Sequence, residues 1–120
     1  MHSTKSRIKR VPPMRRPCLI ASLIFILSLS AYAADITITE NDLAFDKEDL
    51  NLHTGDTVTF INRDEVSHNL QVVNPEGGNV LSDKGLQRPG AETKITFSSP
   101  GVYRVRCSIS PQMKMSVNVQ

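Results

Sequence analysis

Three side chains in the C-terminal half of this 120-residue chain carry sulfur or nitrogen atoms that could bind a metal. Cys107 and Met113 stand six positions apart, and His68 follows a polar turn further upstream. A thiolate, an imidazole and a weak thioether together suit copper, because this mixture of donors serves both Cu(I) and Cu(II). We therefore take His68, Cys107 and Met113 as candidate ligands of one copper ion.

Period-2 alternation around these residues predicts the strands that must position them. Side chains two apart on a strand share a face, so Cys107 points inward with Val105 and Tyr103. Met113 opens a second inward-facing series after a five-residue connection, and His68 opens a third. We expect the two sulfurs and the imidazole to meet at one end of the core.

The rest of the chain after residue 33 shows the same alternation, and no stretch has a helical stripe. Turn residues punctuate it at Pro75–Gly78, Pro89–Gly90 and Ser98–Gly101. This spacing predicts an all-β fold, a Greek-key β-sandwich or barrel of about seven strands, formed by residues 34–120.

Residues 1–33 have the three parts of a secretory signal peptide. The first seventeen residues carry six basic side chains and no acid, the stretch Cys18–Ala31 is almost wholly apolar, and Ala31-Tyr32-Ala33 offers a small-residue cleavage site. We predict export to the periplasm, cleavage after Ala33 and no stable membrane insertion afterwards. The alternative is an uncleaved N-terminal anchor.

Removal of that segment leaves eight basic and twelve acidic residues, a net charge of −4 with histidines neutral. This charge gives no reason to expect a nucleic-acid partner. We expect the exposed turn residue His53 and an acidic cluster to be solvated. The cluster comprises Glu40, Asp42, Asp46, Glu48 and Asp49. Only Cys107 remains after cleavage, so the mature chain cannot form an internal disulfide.

Several motifs resemble those of the cupredoxins, the type 1 blue-copper family, and most closely its small amicyanin-like and methylamine-utilisation-type members. The resemblance spans nearly all of residues 34–120. The motifs are Gly55–Asn62, Asp64–Asn69, Gln87–Gly90, Pro100–Tyr103 and Cys107–Met115.

The last motif reads Cys-x-x-His-Pro-x-Met in that family, and here Ser110 stands in place of the histidine. The resemblance implies His68, Cys107 and Met113 as copper ligands. It implies Asn69 as the residue that ties the two ligand loops together. It does not imply that Ser110 binds copper.

The favoured function is therefore that of a monomeric one-electron carrier with an incomplete ligand set and a redox protein as its partner. One alternative is a Cu(I) carrier or sequestering protein that also uses Met115, and another is a metal-free β-sandwich that binds a protein. Catalysis by Cys107 as a nucleophile would require a base, such as His68, and an oxyanion-stabilising group. The sequence offers no third member of such a site, so we predict no enzymatic turnover.

Overall fold

The computed structural model describes residues 9–17, 20–27 and 32–120. The chain divides into two units, Met1–Ser30 and Ala31–Gln120. The described residues of the first unit form no helix or strand. In the parts of the chain that the structure describes, no helix is long and apolar enough to cross a membrane.

The predicted signal peptide falls partly outside the described residues, which leave out Lys5, Arg7, Cys18 and Ala31. Its cleavage and its role in export therefore remain predictions.

Nine strands follow one another in the second unit. They are β1 (Asp35–Asn41), β2 (Ala44–Phe45), β3 (Asp49–Leu52), β4 (Thr57–Asn62), β5 (His68–Val73), β6 (Val80–Gln87), β7 (Glu92–Thr96), β8 (Gly101–Cys107) and β9 (Lys114–Val119).

The strands form two sheets, with the orders β2-β1-β4-β7 and β3-β9-β8-β5-β6. Pairing is antiparallel except between β1 and β4 and between β3 and β9. The predicted all-β sandwich is confirmed, with two strands more than the expected seven. β2 has only two residues, and β6 buries only Gln87, so neither strand gives a period-2 signal in the sequence.

Alternation along the strands creates the core between the sheets. On β1, for example, Ile38 is buried while Thr37 is exposed, and Phe60 on β4 packs edge-on against Phe45 at 5.7 Å between ring centroids. Such inward side chains stabilise the fold by removing apolar surface from water. The buried core comprises Ile38, Phe45, Leu50, Leu52, Val58, Phe60, Leu70, Val72, Ile95, Phe97, Val105, Cys107, Met113, Met115, Val117 and Val119.

Strand register gathers the candidate ligands at one end of the five-stranded sheet. Leu70 on β5 lies opposite Cys107 on β8, so His68, two residues before Leu70, lies just beyond the end of β8. Arg106 lies opposite Lys114, which places Met113 beside Cys107. Met113 precedes β9 instead of opening it as expected, but its carbonyl still accepts a hydrogen bond from the Cys107 amide at 3.0 Å.

Candidate metal centre

The imidazole of His68 and the thiol of Cys107 converge in the interior of the protein. His68 Nδ1 lies 3.7 Å from Cys107 Sγ, and both residues are fully buried. His68 is the first residue of β5 and Cys107 the last of β8, so two antiparallel neighbours bring them together. This contact agrees with the inward orientation that alternation predicts for both side chains.

The separation of these two atoms fits a shared metal. Imidazole and thiolate ligands bind a first-row metal such as zinc at about 2.0 and 2.3 Å, respectively. Two such bonds at about 120° to each other place the nitrogen and sulfur about 3.7 Å apart, close to the observed distance. The nitrogen and thiolate donors are also of the types that copper prefers. His68 and Cys107 therefore fit the copper site that the sequence predicts.

A carboxylate holds the far side of the imidazole. Asp64 Oδ2 lies 2.6 Å from His68 Nε2, and the Asp64 side chain is only 8% exposed. A hydrogen bond at Nε2 leaves Nδ1 free to bind a metal and fixes the plane of the ring. Burial opposes ionisation of Asp64, but hydrogen bonds from His68 and from the Leu43 and Asp42 amides hold its pKa below the usual value.

The turn that carries Asp64 is itself anchored in the protein by a buried amide. Asn62 is fully buried, and its Oδ1 accepts a hydrogen bond from the Asp64 amide at 2.9 Å. Its Nδ2 donates to the carbonyls of Val66 and Gln87 at 2.9 and 3.0 Å. This network sets the path of the chain from the end of β4 to His68. The sequence indicated only a polar turn here, because a turn has no periodicity to show which polar side chains face inward.

Asn69 joins the two ligand segments, as the family resemblance implies, and it does so through its backbone. Its amide donates to Cys107 Sγ at 3.4 Å, and its carbonyl accepts from the Ser108 amide at 3.0 Å. Its side chain instead donates to Asp83 on β6 at 3.1 Å. An amide hydrogen bond to a ligand sulfur stabilises negative charge there and tunes the potential of a bound metal.

Met113 is the third candidate ligand, and it is 1% exposed. It belongs to the same core cluster as Cys107, to which its backbone is hydrogen bonded. Met115, 2% exposed, lies opposite Val105 and therefore two residues further along β9. Within residues 9–17, 20–27 and 32–120, no three His, Cys, Asp or Glu side chains form a group that could hold a metal.

The connection between Cys107 and Met113 contains Ser110, which is partly exposed. Its carbonyl accepts a hydrogen bond from the Met113 amide at 2.9 Å, which closes a turn with Pro111 at its second position. Pro fits that position because its fixed φ suits a β-turn. The other side chains of residues 108–112 are exposed, so this segment forms the outer rim of the centre.

Glu40 is a buried acid that the sequence interpretation placed in a solvated cluster, and that expectation was wrong. It lies on β1 on the same face as Ile36 and Ile38, and it is fully buried. Among the residues that the structure describes, neither carboxylate oxygen has a hydrogen-bond partner. Burial, together with the nearby charge of Asp64, raises the pKa of Glu40 to about 7. The remote His53 is exposed, as expected.

Comparisons with known proteins agree with this architecture. Residues 32–120 match the family of copper binding proteins described as the plastocyanin/azurin family. The chain is 30% identical over 82 residues to amicyanin from Paracoccus denitrificans, a match that covers 65% of this chain and 60% of amicyanin. It is 29% identical over 104 residues to the methylamine utilization protein MauL from Methylorubrum extorquens, covering 84% of this chain and 90% of that protein.

Among solved structures, the fold is similar to a purple cupredoxin from Nitrosopumilus maritimus, with a TM-score of 0.62 and 28% identity. That match covers 72% of this chain and 99% of the other. The family match at residues 32–120 spans the whole sandwich and the loops that carry the candidate ligands. The chain belongs to the copper-binding plastocyanin/azurin family, the cupredoxins.

Proposed function

We propose that this domain binds one copper ion through His68, Cys107 and Met113 and carries single electrons for a redox protein partner. The observation that carries this proposal is the 3.7 Å approach of His68 Nδ1 to Cys107 Sγ inside the protein. Copper bound there would supply a one-electron Cu(I)/Cu(II) couple.

The residues of the chain would hold the centre in a fixed geometry. Asp64 fixes the His68 ring, and the Asn69 amide donates to the Cys107 sulfur. Full burial of His68 and Cys107 keeps water from the two donors. Ligands that are held in place rearrange little when the charge of the metal changes, which favours rapid electron transfer.

Asp64, His68 and Cys107 also follow one another in the order acid, base and nucleophile. The sequence interpretation found no such third member, because Asp64 lies in a turn. A cysteine nucleophile must reach a substrate carbonyl, however, and Cys107 is 0% exposed. We therefore propose an electron carrier and not an enzyme that acts through this thiol.

The partner surface that we propose surrounds the rim of the centre. Ile109 is 60% exposed and Val66 is 51% exposed, and Pro111 is exposed between Ser110 and Gln112. Exposed apolar side chains next to a redox centre suit a brief contact with another redox protein. We propose that a monomer meets this partner in the periplasm after cleavage of residues 1–33.

A second candidate is a Cu(I) carrier or sequestering protein, and the serine at position 110 is the observation in its favour. A centre with one imidazole and several sulfurs is soft, and soft ligands select Cu(I). Met115, which is buried on β9 two residues after Met113, would be an additional thioether ligand in that case.

The test is to add Cu(II) to the reduced domain without oxygen and to record its visible spectrum. An electron carrier gives an intense thiolate-to-copper band that is bleached by one electron per copper and is absent from Cys107→Ser. Tight Cu(I) binding without the band would favour the carrier of Cu(I), and binding of neither ion would exclude both. The variant Ser110→His should strengthen the band, since it adds a second imidazole.

A further inference from the structure

Glu40 is a buried acid close to the candidate metal centre, and the proposed function gives it no role. We propose that Glu40 takes up a proton when the copper centre gains an electron, so that the domain carries the proton and the electron together. This inference rests on the proposed copper site and adds a second activity to it.

Strand register places Glu40 at the end of the sandwich that holds the candidate ligands. Glu40 lies opposite Asn62, the last residue of β4, and its carbonyl accepts a hydrogen bond from the Arg63 amide at 2.8 Å. Asn62 in turn accepts a hydrogen bond from the Asp64 amide. The chain thus passes directly from the strand neighbour of Glu40 to Asp64, whose carboxylate holds the His68 ring.

The Glu40 carboxylate can change its charge near neutral pH. It is fully buried, and neither of its oxygens has a hydrogen-bond partner in the described part of the chain. An unpaired carboxylate in the interior is unfavourable as an anion, and burial and then the charge of Asp64 raise the pKa of Glu40 to about 7. A modest change in nearby charge therefore decides whether Glu40 holds a proton at neutral pH.

Asp64 supplies the main charge that acts on Glu40 from the neighbouring elements. The residue opposite Glu40 on β2 is Phe45, which does not titrate. At this end the facing sheet contributes His68 and Cys107, the proposed ligands, and Glu40 is hydrogen bonded to neither. The other charged side chains on the adjoining strands and turns are exposed, so water and salt screen them. They are Asp42, Asp46, Arg63, Glu65, Arg88 and Glu92.

A surface cavity of about 660 Å³ brings solvent close to Glu40. Its lining residues are 41–43 and 63–66, and so include Asn41, which follows Glu40, and Asp64, which acts on its charge. A proton can reach Glu40 from this side of the protein without passing the copper ligands.

The charge of the centre in its two states couples the proton to the electron. Cu(I) and the Cys107 thiolate are neutral together, whereas Cu(II) and the thiolate carry one positive charge, which favours the Glu40 anion. On reduction the redox partner supplies one electron to the centre, and Glu40 takes one proton from solvent by forming an O–H bond. No other bond forms or breaks, and the summed charge of the centre and Glu40 stays constant.

The experiment measures the midpoint potential of the copper-loaded domain between about pH 5 and about pH 8. The potential should fall as the pH rises through the pKa of Glu40 in the oxidised form, and it should level off above the pKa in the reduced form. We expect reduction to raise the proton affinity of Glu40 about tenfold, which corresponds to a total fall of about 59 mV.

A second readout and three variants identify the group. Reduced-minus-oxidised infrared difference spectra near neutral pH should contain a protonated carboxyl band that is absent from Glu40→Gln. Glu40→Gln should also flatten the pH profile of the potential, and so should Glu40→Leu, which suits the apolar core if the glutamine does not. Asp46→Asn removes an exposed acid next to β2 and should keep the slope of the wild type.

The outcomes separate the two proposals. A copper-loaded domain whose potential is flat over this range, or varies equally in the Glu40 variants, would overturn the proton uptake and leave the copper site standing. A difference spectrum without a carboxyl band that depends on Glu40 would overturn it as well. A domain that binds no copper would overturn the proposed function and the inference with it.

Discussion

Two buried carboxylates lie at opposite ends of the parallel strands β1 and β4, and their pKa values are shifted in opposite directions. Asp56, just before β4, accepts hydrogen bonds from the His53 and Ala34 amides, both at 2.8 Å. These bonds favour its charged form and lower its pKa. Glu40, at the other end of the pair, accepts no hydrogen bond through its carboxylate from the described part of the chain, and burial raises its pKa to about 7.

The difference shows that burial alone does not decide the charge of an acid in this fold. Backbone amides that point at a carboxylate stabilise its anion, whereas an unpaired carboxylate in the interior is more stable with its proton. The anion at the Asp56 end is structural. Glu40 lies close enough to Asp64 for that charge to raise its pKa, and Asp64 is hydrogen bonded to His68. A negative charge on Glu40 would therefore alter the electrostatic potential near the candidate metal centre.

The largest expected loss of stability comes from removing the Asp56 carboxylate. Asp56→Ala leaves the partly buried amide bonds from His53 and Ala34 without their acceptor, and each lost hydrogen bond costs free energy. We expect the thermal unfolding midpoint to fall further than in either variant below, with Asp56→Asn intermediate because its amide oxygen can accept one bond. Differential scanning calorimetry at neutral pH measures this. Because the folded-state pKa is lowered, the contribution of Asp56 should disappear as the pH falls through that value. Equal midpoints for Asp56→Ala and wild type would contradict the role assigned to these bonds.

A smaller effect is expected from Glu40→Gln, which removes the ionisation at the other end. The folded protein holds the Glu40 proton up to a pKa of about 7, whereas the unfolded chain loses it near 4.5. Folding stability should therefore fall as the pH rises from 4.5 to 7 and should stay at the lower level above that. The loss is about 3 kcal/mol at most.

Urea unfolding of the metal-free domain between pH 4.5 and pH 8 measures this loss, and Glu40→Gln should flatten the profile. Asp42→Asn is a matched control on the exposed turn after β1, and it should keep the slope of the wild type. A wild-type profile already flat over this range would mean that Glu40 titrates as an exposed acid.

The smallest effect is expected from Asp64→Asn, which sharpens the comparison by removing a charge near Glu40. The pKa of Glu40 should fall by part of its shift, because burial is the larger cause and the Asp64 charge the lesser one. Titration of the Glu40 carboxyl carbon by NMR in the metal-free domain gives the value. Glu65→Gln, an exposed neighbour, should leave it unchanged. If Asp64→Asn leaves it unchanged too, the two carboxylates do not interact.

Much of the fold could be predicted from the sequence because strands reveal their inward faces by alternation. The inward orientation of Cys107 and the placement of His68 beside it follow from that rule and from the register of β5 with β8. The same rule applied to β1 would have placed Glu40 beside Ile38. Its acidic neighbours in sequence suggested a solvated loop instead, but only strand position decides which way a side chain points.

The contacts around the candidate centre were less predictable, because they arise in turns. The bond from Asp64 to His68 and the anchoring of that turn by Asn62 depend on the path of the chain, for which the sequence carries no period. The family resemblance implied that Asn69 ties the ligand loops. Its use of the backbone depends on strand ends meeting in space, which composition cannot reveal.

The hydrogen bond between Ala34 and Asp56 would be changed by cleavage of the predicted signal peptide. The bond joins the Ala34 nitrogen to Asp56 Oδ1 at 2.8 Å. A signal peptidase cut after Ala33 would turn that amide into a free ammonium group and give the Asp56 carboxylate a cation as its partner. A charge-assisted hydrogen bond is stronger than a neutral one. Maturation would then do more than release the domain, because the cut itself would strengthen the bond that already holds Ala34 to the sandwich.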